Sequence, residues 1–149
     1  MKTKKRGRLF CGFILVEPPM EPWSDYMLDE IELLVGMRIV PVIAHVDRYM
    51  RLLDDLTLMD RLKGRRILAQ FNMSAFIHED FRDTALRYLS EGRISFLGSD
   101  VHNTVNRVQN YGKAAGIIRD SGLVKELADI NGKAYTVLKP DRIRNESTQ

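Results

Sequence analysis

Four short apolar runs, separated by longer amphipathic stretches, set the architecture before any single residue is considered. The runs are "LFCGFILVE" (9–17), "IVPVIAH" (39–45), "RILAQFN" (66–72) and "ISFLG" (94–98), and each has the length and apolar continuity of a buried strand. Helical periodicity fills the intervals. In "SDYMLDEIELLVG" (24–36), Met27, Leu28, Ile31, Leu34 and Val35 fall on one face, Ser24 can cap the start and Gly36 can close the end. A polar helical stretch occupies 49–63, and a later helix carries Phe81, Ala85, Tyr88 and Leu89 on one face with Gly92 at its end. Beyond the fourth run, 105–120 places Val108, Tyr111, Ala115 and Ile118 at helical spacing, a short helix covers 123–130, and "AYTVL" (134–138) reads as a last strand. Such alternation implies an α/β fold in which crossover helices join parallel strands. Pro41, inside the second run, argues for a bulge or an edge-like position there.

One domain is the default for 149 residues with 44% hydrophobic content. The net charge of +3 is a local matter: Lys2, Lys4, Lys5, Arg6 and Arg8 crowd the first eight residues, and without them 18 basic face 20 acidic residues. The body is nearly neutral, so no nucleic-acid partner is expected. A basic start before "LFCGFILV" has the look of a secretion signal. However, the apolar run stops at Glu17, no small-residue cleavage site follows, and Pro18 and Pro19 come next. No stretch approaches the ~20 apolar residues of a membrane span, and a single cysteine, Cys11, excludes an internal disulfide. A cytoplasmic chain is expected, with a disordered basic leader over 1–8, one domain over 9–140 and a tail over 141–149.

The polar groups concentrate where these strands end. Glu17 closes the first run, His45 the second, and Asp100 with His102 follows the fourth in "ISFLGSDVHN" (94–103). Asp100 and His102 are two positions apart, so on an extended chain they face one spot. In parallel α/β folds the loops at the C-terminal strand edge converge on one crevice. Each residue alone has an ordinary structural explanation as a cap, a surface charge or a hydrogen-bonded histidine. Together, two carboxylates and two imidazoles form a mixed N/O donor set suited to Mn²⁺, Fe²⁺ or Zn²⁺. Arg48 and Arg107 lie on loops leaving the same edge, and a guanidinium fork matches a tetrahedral oxyanion such as phosphate. Ser99, Asn103 and Asn72 are further polar groups near these ends, with capping as their plain role.

Other chemistries fall away. A cysteine phosphatase needs an arginine six positions after its cysteine, and the sixth residue after Cys11 is Glu17. Cys11 is expected in the core. "GKAAG" (112–116) lacks the strand and spacing of a phosphate loop. His78, alone in "FIHED", is expected on the surface.

The segments "FILVEPP", "GMRIVPVIAHVDRY", "RRILAQFNMSAF" and "ISFLGSDVHNTVNR", in that order, resemble the C-terminal part of the PHP-type (polymerase and histidinol phosphatase) metal-dependent protein-tyrosine phosphatases of bacterial capsule and exopolysaccharide operons. The resemblance runs over residues 9–138, and the Ser-Asp-x-His-Asn…Arg segment is its most specific part. It implies a partial, distorted β/α barrel without its N-terminal strands. Glu17, His45, Asp100 and His102 match metal ligands, with His102 or His45 alternatively a proton donor. Arg48 and Arg107 match the arginines that hold the substrate phosphate. The implied cofactor is a cluster of up to three metals, usually manganese. The implied substrate is a phosphotyrosine tail on the kinase that controls polysaccharide chain length.

Two departures stand beside the resemblance. The family opens with a His-x-His motif, whereas the first histidine here is His45, and Val46-Asp47 replaces a Pro-Glu pair. The chain thus reads as the latter part of a phosphatase, expected to self-associate or to pair with a complementing N-terminal segment. Metal-dependent hydrolysis of phosphotyrosine is the leading expectation. A non-catalytic phospho-binding remnant and a phosphoesterase for a small phosphate monoester are the alternatives.

Overall fold

The computed structural model describes residues 12–99 and 108–138. The basic leader, Cys11, Asp100, His102, Asn103, Arg107 and the tail over 141–149 lie outside the described residues.

Four strands, β1 (Gly12–Val16), β2 (Ile39–Ile43), β3 (Leu68–Asn72) and β4 (Phe96–Gly98), form one parallel sheet in the order β1-β2-β3-β4. Register runs Val16↔Ile43, Ile43↔Ala69 and Asn72↔Gly98, so the C-terminal strand ends line up along one edge. The crossovers are α1 (Asp25–Gly36), then α2 (Val46–Leu52) and α3 (Leu58–Leu62), then α4 (Arg82–Ser90), which follows a short 3₁₀ turn at Met73–Phe76. Beyond the sheet come α5 (Val108–Asp120) and α6 (Val124–Leu138). The alternating runs therefore make the expected parallel α/β sheet, a four-stranded half-barrel.

Alternation along the strands separates the two faces. Ile43, Ala69 and Phe71 point into the core with Leu28, Phe76, Ala85, Tyr88 and Ile118. Phe71 meets Tyr88 edge to face at 6.4 Å. Each fully buried side chain of this size contributes roughly 1.5–3 kcal/mol of transfer free energy. Val42, Gln70, Asn72 and Gly98 occupy the opposite face by register.

Several local expectations hold. Ser24 Oγ accepts from the Met27 N–H and caps α1, Leu28 and Ile31 are buried, and Phe81, Ala85, Tyr88 and Leu89 are all buried along and before α4. Gly92 takes φ 67° just after that helix.

Others are corrected. "AYTVL" is not a strand but the last turns of α6. Leu123, Leu127, Ile130 and Ala134 recur at helical spacing, with Leu127 and Ile130 buried, and this core-facing stripe overrides the β preference of Tyr135 and Thr136. The stretch 49–63 is two short helices, because Asp54 turns left-handed at φ 50° and Asp55 Oδ1 then accepts from Thr57 N and Oγ1. The left-handed residue after α1 is Arg38 at φ 62° rather than Gly36. Tyr111 is exposed, and Ala114 takes the buried place on α5. His78 is half-buried instead of exposed. Pro41 lies in an inner strand without a bulge, before the stretch of β2 paired with β3, which begins at Val42.

Candidate functional site

The site lies where β1 and β2 end. The Ala44 N–H still donates to Val16 O at 2.9 Å, which extends the β1–β2 ladder by one rung. His45 then turns left-handed, at φ 53° and ψ 40°. That conformation is uncommon for a residue with a Cβ and costs roughly 1–2 kcal/mol. It persists because both backbone groups of His45 are held. Its N–H donates to Gln70 Oε1 at 2.8 Å, and its carbonyl accepts from Arg48 N at 2.8 Å as α2 begins. His45 is thus not the end of a strand but the turn that swings the chain out of β2.

The ring of His45 is anchored as well. Nδ1 lies 2.9 Å from Asn72 Oδ1 at the end of β3. Asn72 is 4% exposed, and its backbone N–H donates to Asp47 Oδ1 at 2.8 Å. Asp47 is only 2% exposed. Burial pushes its carboxyl up to about 6, against the pull of the Asn72 hydrogen bond and the charges of His45 and Arg51. Gln70, two residues before Asn72, donates from Nε2 to Phe71 O at 2.7 Å and to Asn72 Oδ1 at 3.3 Å. A Cβ on Gly98 would stand 2.5 Å from that nitrogen, so the neighbouring strand approaches this closely only with glycine there.

Glu17 follows β1 at the same edge and is exposed, as is Arg48 at the start of α2. Tyr49, next to Arg48 in α2, donates its hydroxyl to the carbonyl of Pro18, next to Glu17. Burial pushes the Tyr49 phenol up, the Glu17 charge adds to that shift and Arg48 offsets it, which puts both charges within electrostatic range of one hydroxyl.

Of the candidate ligands, Glu17 and His45 are at one edge, and Asp100, His102 and Arg107 lie outside the described residues. Among the described residues no group of three His, Cys, Asp or Glu side chains gathers around one point. A carboxylate and a neutral imidazole nevertheless suit a divalent transition ion. The His45 ring also has an oxygen partner on Nδ1, the arrangement that orients metal-binding histidines. Gln70 and Asp47 are the residues sequence reasoning missed. The signal for Gln70 was its position two before Asn72, which puts two amides on one face of a strand that is otherwise apolar.

Among the described residues no helix is long and apolar enough to cross a membrane. No curated protein matches the chain. In fold it is similar to a chain from the crystal structures of YwqE from Bacillus subtilis and CpsB from Streptococcus pneumoniae, described as unique metal-dependent tyrosine phosphatases. The TM-score is 0.73 at 21% sequence identity, over 85% of this chain and 52% of that one. The chain therefore spans about half the length of that relative. The family model for capsular polysaccharide synthesis, CpsB/CapC, matches residues 10–131. With four of the chain's strands and most of its length inside that match, the protein belongs to the CpsB/CapC capsular polysaccharide synthesis family.

Proposed function

We propose that this chain carries out metal-dependent phosphoester hydrolysis, with phosphotyrosine on a polysaccharide-biosynthesis kinase as substrate. The observation that carries the reading is the His45 ring, anchored through Nδ1 by Asn72 at the strand edge that also bears Glu17. Membership of the CpsB/CapC family supports it, as does the fold shared with a metal-dependent tyrosine phosphatase.

In this reading Glu17 and His45 supply two donors to a divalent ion, manganese foremost. Asp100 and His102 supply two more toward the four to six or so that such ions take. When bound, the metal supplies Lewis acidity that activates water and neutralises phosphate charge. Arg48, exposed at the start of α2, and Arg107 grip the equatorial phosphate oxygens through paired hydrogen bonds and hold the ester for in-line attack. His102 is the alternative proton donor to the leaving phenolate.

The test is turnover of a phosphotyrosine peptide by the full chain with added manganese, compared with a small phosphate monoester, alongside elemental analysis of protein purified without added metal. Hydrolysis of the peptide that disappears in His45→Ala supports the proposal. Preference for the small ester would move the substrate class. Peptide binding with neither metal nor turnover would replace hydrolysis with phospho-binding.

A further inference from the structure

We propose that Gln70 and Asn72 are positioning residues that lock His45 in the tautomer with its proton on Nδ1, so that Nε2 offers a bare lone pair at the sheet edge. The use of that lone pair by a metal rests on the function proposed above; the tautomer itself does not.

The polarity of one main-chain group fixes the rest. The backbone N–H of His45 can only donate, so the Gln70 atom 2.8 Å from it is the amide oxygen. The other end of that amide is then the NH₂ group. It sits 2.7 Å from the Phe71 carbonyl, which can only accept, so both ends of Gln70 are set by main-chain groups. The same NH₂ group faces Asn72 at 3.3 Å, and a donor there requires the oxygen of Asn72. Asn72 Oδ1 in turn lies 2.9 Å from His45 Nδ1, and an oxygen without hydrogen requires that nitrogen to donate. A neutral imidazole carries one proton, so Nε2 has none.

Reversing a link sets like groups against each other, two donors where an amide is flipped and two acceptors where the His45 proton is moved to Nε2. Gln70 and Asn72 are 9% and 4% exposed, so water is not at hand to relieve such a clash. The relay is held in place from both sides. Asp47 fixes the Asn72 backbone at 2.8 Å, and Gly98 leaves room for the Gln70 amide. In water an imidazole exchanges between tautomers; here the choice is made by a backbone hydrogen bond two residues removed from the ring nitrogen. A histidine that donates one ring N–H to an oxygen and keeps the other nitrogen bare is prepared as a ligand before any metal arrives.

The deciding experiment is ring-nitrogen NMR of the metal-free full chain at about pH 8.5, above the ordinary histidine range, with the His45 signals assigned by their loss in His45→Gln. A single Nδ1–H species is expected. Asn72→Asp keeps an oxygen acceptor and should keep that tautomer. Asn72→Ala removes the acceptor, and Gln70→Glu frees the Asn72 amide to rotate; both should release a mixture. Zinc affinity should fall by roughly 10–100-fold in Asn72→Ala and much less in Asn72→Asp. Because truncating a buried amide can unfold the strand edge, the wild-type spectrum decides by itself. A wild-type ring protonated on Nε2, or folded Asn72→Ala and Gln70→Glu variants that both keep the single Nδ1–H tautomer, would overturn the relay. A locked Nδ1–H ring with no zinc uptake supports the relay and counts against the metal reading alone.

Discussion

The Tyr49 hydroxyl donates to the carbonyl of Pro18, 31 positions earlier in the chain. Pro18 follows Glu17 and Tyr49 follows Arg48, so one hydrogen bond sets how the loop carrying the carboxylate meets the helix carrying the guanidinium. The Trp23 ring, 4.6 Å from the Tyr49 ring and tilted by 58°, closes the contact from the side. Tyr49→Phe keeps the ring packing and removes only the hydroxyl. We expect it to lower stability by about 1–2 kcal/mol in urea titration, because the buried Pro18 carbonyl loses its donor.

Gly98 provides a second structural test. Gly98→Ala places a methyl 2.5 Å from Gln70 Nε2 and 3.3 Å from its Cδ, and the Gln70 amide is bonded at both ends and cannot swing away. A loss of about 1–3 kcal/mol is expected, the usual range for overpacking. Gly112→Ala, in α5 with nothing within 4 Å of the added carbon, is the control. It should stabilise by roughly 0.5–1 kcal/mol through helix propensity. Thermal melts that rank the two alike would contradict the close approach of β4 to β3.

The sheet was legible because its signal is repeated: each strand is a short apolar run between helical patterns, and a one-residue slip in pairing would turn Ile43, Ala69 and Phe71 off the buried face. "AYTVL" misled because Tyr, Thr and Val favour strands locally, whereas the deciding stripe, Leu123 to Ala134, begins eleven residues before it. At the site, Glu17 and His45 stood out as charged or titratable residues closing apolar runs. Gln70 did not, since a glutamine inside a strand carries no chemistry until its partner is known, and that partner is the backbone N–H of a residue 25 positions away. Asp47 stood in the sequence only as part of the Val46-Asp47 departure from a Pro-Glu pair, and only the fold shows it buried beneath Asn72.

His78 should make stability pH-dependent. Burial lowers its pKa, the nearby Arg51 charge lowers it further, and Asp80 partly offsets them. A depressed folded-state pKa means that the unfolded chain takes up the proton first. The His78 contribution is therefore present above the ordinary histidine range near 6.5 and is lost as pH falls through the folded-state value. His78→Gln removes that loss. Relative to wild type, the variant should gain stability on going from about pH 8 to about pH 5. A difference between the two melting curves that stays constant over this range would show that burial of His78 carries no proton linkage.

Arg48 separates phosphate chemistry from architecture. Its side chain is exposed at the start of α2 and, unlike Arg61 or Arg65, it has no ion pair among the described residues. The fold therefore has little to lose from its replacement. If the guanidinium grips phosphate, Arg48→Lys keeps the charge and loses the paired hydrogen bonds. Catalytic efficiency on a phosphotyrosine peptide should drop by roughly tenfold or more, a transition-state effect above about 1.4 kcal/mol, while the melting temperature stays within about a degree of wild type. Arg107→Lys should show the same split, since both residues are assigned the same oxygens. In a chain that binds the peptide without turnover, the two substitutions should weaken that binding instead. Unchanged turnover and unchanged binding in both variants would remove phosphate recognition from this edge of the sheet.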